Sequence, residues 1–100
     1  MIATMMIAAA LAQDPGTVRA SRAAFDDCLE ARVEAARDGG QSPADFRAAI
    51  RTACAAEAAA LRTALIAYDL STGQGADDAA TWAQEDIDDS REAAARRLER

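Results

Sequence analysis

Apolar residues recur at helical spacing in three stretches of this chain, separated by two polar, glycine-bearing turns. At about 100° per residue, Val18, Phe25, Leu29, Val33 and Ala36 share one face, which predicts a helix over residues 15–37. Asp14-Pro15 supplies a cap followed by proline at the first helical position, and Thr17 offers a second cap. Gly39 is the expected left-handed residue that ends this helix. A second helix is predicted over 43–70, where Phe46, Ala49, Ile50, Ala53, Ala60, Leu61, Ala64 and Tyr68 make one continuous stripe. Ser42-Pro43-Ala44-Asp45 is its start signal: a side-chain acceptor, a preset first turn and an acid that suits the helix dipole. Ser71-Thr72-Gly73-Gln74-Gly75 ends it. The third helix, over 77–98, has a weak stripe of Ala76, Ala80, Ala83, Ile87, Ala94 and Leu98, so it is expected to dock loosely. Its first half holds Asp77, Asp78, Glu85, Asp86, Asp88 and Asp89 and its last turns hold Arg91, Arg96, Arg97 and Arg100, as the helix dipole favours.

The bend Arg37-Asp38-Gly39-Gly40-Gln41-Ser42 lies midway between Cys28 and Cys54. At a rise of ~1.5 Å per residue each cysteine sits ~16 Å from it, so antiparallel packing brings the two level. A disulfide between Cys28 and Cys54 is therefore expected, stapling the first two helices. The fold predicted is all-α: an antiparallel two-helix hairpin with one interhelical disulfide, and a third helix packed loosely beside it.

Composition sharpens this picture. Alanine supplies more than half of the 51 % hydrophobic residues, and large apolar side chains are few. A chain of 100 residues so composed has a thin core, in which a covalent staple matters. The net charge of −6 argues against nucleic acid as a partner. All eleven basic residues are arginine, and histidine is absent. Without histidine, and with no C-x-x-C spacing, neither a metal centre nor a cofactor is expected. No catalytic residue is assigned, because no nucleophile, base and orienting group occur together.

Residues 1–12, MIATMMIAAALA, carry no charged side chain and end in Ala10-Leu11-Ala12, the small-x-small pattern of a signal-peptidase site. They are read as an export signal cut after Ala12, leaving one domain over 13–100 in the periplasm or outside the cell. A dozen apolar residues are too few for a ~30 Å hydrocarbon layer, so no stable membrane span is expected.

Three further features could carry function. Glu57 falls near the middle of the second stripe, and the hairpin register brings Arg22 within its reach, so a Glu57–Arg22 ion pair is expected. Glu85, Asp86, Asp88 and Asp89 form a solvated acidic run that suits a basic partner rather than a calcium loop, which needs a glycine turn and a distal bidentate glutamate. Trp82 lies off the stripe of its helix; it is expected either to close the core over Ile66 and Leu70 or to contact a partner. The function expected is non-catalytic: an exported protein-binding or envelope accessory module, partnered by another protein or by a second copy. A thiol-based redox role, or inhibition of a partner enzyme, is the alternative.

Overall fold

A computed structural model describes residues 14–100, and every regular element in them is a helix. These are α1 (Pro15–Asp38), α2 (Pro43–Ile50), α3 (Ala55–Ser71) and α4 (Ala76–Glu99). The predicted leader, residues 1–12, lies outside the described residues.

The local signals explain most of the boundaries. The Asp14 carboxylate accepts from Gly16 N at 2.8 Å, and Pro15 occupies the first turn of α1. At the other end, Gln41 N donates to Ala36 O at 2.9 Å and Gly40 N to Arg37 O at 3.1 Å. The left-handed residue of this turn is Gly40, at φ +66, and not Gly39, whose φ of −84 is ordinary. The Ser42 hydroxyl accepts from Asp45 N at 3.2 Å to open α2. Between α3 and α4 the chain reverses through Gly73, at φ +95.

One boundary has no sequence signal. The single helix predicted over 43–70 is divided at residues 51–54. There the amides of Thr52 and Ala53 donate three residues back, to Ala49 O and Ile50 O, at 3.5 and 3.3 Å. Cys54 then turns left-handed, with φ 59 and ψ 41, and α3 begins. Nothing in Arg51-Thr52-Ala53-Cys54 resembles a glycine or proline breaker.

α1, α3 and α4 pack against one another pairwise, and α2 packs on α4 and on the end of α1. α1 and α3 run antiparallel: Thr17 and Ser21 face Ala59 to Ala64, and Cys28 meets Cys54. The disulfide forms as expected, with the Cα atoms 6.0 Å apart. α4 runs parallel to α1, since Arg22 meets Asp86 and Glu30 meets Arg97. Phe25, Leu29, Val33, Leu61 and Ile87 are the largest fully buried side chains, with Phe46 and Ile50 closing the end near the bend. α4 is held more firmly than its weak stripe suggests. Ala79, Ala83, Ala94 and Ala95 are buried beside Ile87, because alanines let helix backbones approach closely where larger residues would hold them apart.

Trp82 does not join this core. It is 47 % exposed, as is Leu70, so it does not close the core over Leu70, although Ile66 is partly buried. The register explains this: α4 turns its alanines and Ile87 inward, and Trp82 lies more than a right angle away from them.

Candidate functional site

Beside the break at residues 51–54, charged side chains of both signs converge. The helices that meet there form a groove of about 390 Å³, lined by Arg47, Ile50, Arg51, Asp88, Arg91 and Glu92. α2 contributes Arg47 and Ile50, the turn contributes Arg51, and α4 contributes the rest because positions 88, 91 and 92 are neighbours on one helix surface.

Arg91 is the centre of this arrangement. Its Nη2 donates to Ala53 O at 2.8 Å, taking up a carbonyl that the break leaves without an intrahelical partner. Its guanidinium carbon lies 5.6 Å from the centroid of the Phe25 ring, within cation–π range. Burial pushes Arg91 below the ordinary arginine value; Asp88 works against that shift and Arg62 adds to it. Its Nε is buried with no acceptor. The sequence gives Arg91 only as one of several bases near a helix end, and the break that assigns it a task was not visible there.

Arg47 clasps α4 at two points. It donates to both oxygens of Glu92 at 2.6 Å and to Glu99 at 2.9 Å. The hydrogen bond from Arg47 holds Glu92 below the ordinary glutamate value of 4.5. A carboxylate lowered in the folded state stabilises the fold above its unfolded value and loses that contribution as pH falls through the folded one. Melting temperature is thus expected to fall on the acid side of pH 4.5, and Arg47→Gln should flatten that limb. An acid limb unchanged in the variant would remove this pair as its source.

The sequence-predicted pair of Glu57 and Arg22 is not formed. Arg22 instead makes a bidentate pair with Asp86, at 2.7 and 2.6 Å. That hydrogen bond raises Arg22 above its ordinary value. The correction has a simple cause. α4 supplies an acid on the inner edge of α1 that a two-helix register could not foresee, while Glu57 lies in a shallow groove with Ala20, Ser21, Ala24, Ala56 and Ala60. A double-mutant cycle on Arg22 and Asp86 should return a coupling of about 1 kcal/mol, the upper end for a partly exposed pair. Glu57→Ala should leave the melting temperature unchanged. A loss in Glu57→Ala comparable to that in Arg22→Ala would reinstate the first reading.

The acidic run is divided by the helix. Asp86 is committed to Arg22, and Asp88 accepts from Gln84 at 2.9 Å beside the groove. Glu85 and Asp89 are exposed on the same outward side of α4 as Trp82. Arg97 Nε lies 2.9 Å from Glu30, an ion-pair contact whose angle falls outside a hydrogen bond. Among the described residues, no group of three or more His, Cys, Asp or Glu side chains is placed to hold a metal ion. No helix among them is long and apolar enough to cross a membrane. Arg47 and Arg91 act as fasteners: Arg47 donates to the carboxylates of Glu92 and Glu99, and Arg91 Nη2 to the carbonyl of Ala53.

No family model matches the chain, and no curated protein or solved structure matches it. Function therefore rests on the residues themselves.

Proposed function

We propose that this chain is a small exported protein, periplasmic or extracellular, that works by docking a protein partner rather than by catalysis. The observation that carries the reading is the Cys28–Cys54 bridge, which leaves no free cysteine. Such a bridge belongs to an oxidising compartment, and the apolar leader ending in Ala10-Leu11-Ala12 is the address that would take the chain there. The docking face is Trp82 with Glu85 and Asp89: a half-exposed indole flanked by acids suits a basic segment on the partner. If the partner is an enzyme, docking takes the form of inhibition.

The test is expression of the full chain with a C-terminal tag, followed by fractionation and intact mass. A chain found outside the cytoplasm, beginning at Gln13 and lighter by two hydrogens than its dithiol form, is the expected result. A cytoplasmic chain that keeps Met1 and both thiols would defeat the reading. A redox role for the cysteine pair is the second reading, favoured by the backbone of Cys54.

A further inference from the structure

We infer that the Cys28–Cys54 bridge is what holds the chain bent at residues 51–54, and that its reduction closes residues 43–71 into one continuous helix. The inference does not depend on where the protein resides. It follows from four features of the break.

Cys54 is the only described non-glycine residue with a positive φ. An L-residue adopts this conformation at a cost, and cysteine, unlike asparagine or aspartate, has no side-chain hydrogen bond to compensate. The α3 cap it forms makes no side-chain bond at all. The surrounding residues, Thr52-Ala53-Cys54-Ala55-Ala56, contain no helix breaker, and alanine is the strongest helix former.

Closing the break would not unbury the core. At about 100° per residue, Phe46, Ile50 and Leu61 fall on one face of an unbroken helix, as they do on either side of the present bend. The same periodicity shows what the bridge demands. On α3 the grooves along the α1 seam are lined by Ala56, Glu57, Ala59, Ala60, Thr63 and Ala64. In a regular helix, position 54 lies about 140° around from the centre of that set, in line with the buried Ala58 and Leu61. A sulfur there would point into the core rather than along the seam. The left-handed turn swings it back, and the Cα atoms come to 6.0 Å.

The second fastening is weaker. Arg91 donates to Ala53 O, a carbonyl that Glu57 N would take in a continuous helix. Losing that bond leaves the Arg91 guanidinium with a free donor in the groove beside Arg51, so what the groove offers an acceptor changes with the state of the bridge. The reductant is a dithiol. Its thiolate attacks the sulfur of Cys28, a partly buried residue, rather than that of Cys54, which is 5 % exposed. The disulfide bond breaks, two S–H groups form from two electrons and two protons, and the dithiol closes its own disulfide.

Nuclear magnetic resonance of the full chain, oxidised and after dithiothreitol, tests this directly. Hα–Hβ contacts between residues three apart should be missing across 50–56 in the oxidised chain and present in the reduced one, with new amide protection at Cys54 to Glu57. A second measurement uses the Cys28→Ala background and compares Cys54→Ala with Cys54→Gly. Alanine should raise the folded-to-unfolded ratio about fivefold over glycine, the effect of a helix-interior position. A ratio favouring glycine means the left-handed turn survives without the bridge and overturns the inference. So does a reduced chain that keeps the gap at 50–56, or one that loses its fold.

Discussion

Phe25→Ala is expected to lower the unfolding free energy by about 3–5 kcal/mol, the cost of truncating a buried aromatic and leaving a cavity. Phe25 is fully buried at the meeting point of the three long helices. Its ring also seats the Arg91 guanidinium, which in turn holds Ala53 O. Removing the ring therefore leaves a partly buried cation without its apolar support, and a small domain holds only about 5–15 kcal/mol in total. Urea titration measures this, with Phe25→Leu as the control that keeps most of the volume and should cost no more than about 1.5 kcal/mol. A Phe25→Ala loss below about 1 kcal/mol would show that the core is not centred there.

Removing both cysteines is the second large effect. Closing a loop of sequence separation 26 stabilises the fold by about 3.5 kcal/mol in the chain-entropy model. The variant Cys28→Ala/Cys54→Ala also releases the left-handed conformation at position 54, which returns about 1–2 kcal/mol. The net loss expected from chemical denaturation is thus about 2 kcal/mol, smaller than the loop alone implies. A loss of the full loop value would mean that the backbone at Cys54 carries no strain. The two substitutions test different parts of the molecule, because Phe25 sits in the core and the bridge sits at its edge.

Much of the fold was legible along the chain. Asp14-Pro15, Ser42-Pro43 and the glycines at 39, 40 and 73 mark ends where the backbone itself needs a cap or a positive φ, and such needs are written locally. The level placement of Cys28 and Cys54 followed from counting residues, since antiparallel helices share one rise. The break at 51–54 was not legible, because it arises from a covalent tie to a residue 26 positions away and leaves no local mark. The same holds for the ion pairs. Arg22 has acids near it on its own helix and in the second stripe, and only the parallel course of α4 selects Asp86. Trp82 was ambiguous for a different reason: a helix phase says which way a side chain points, but not whether anything lies there.

The position of that indole has a practical consequence. The chain has a single tryptophan and a single tyrosine, and Trp82 stands half in water, a turn before the Arg22–Asp86 clasp. Its emission is therefore an uncontaminated, label-free reporter. A partner that settles on the outer side of α4 will shift its colour toward the blue and shield it from acrylamide, and one that binds at the groove near residue 51 will leave both nearly untouched.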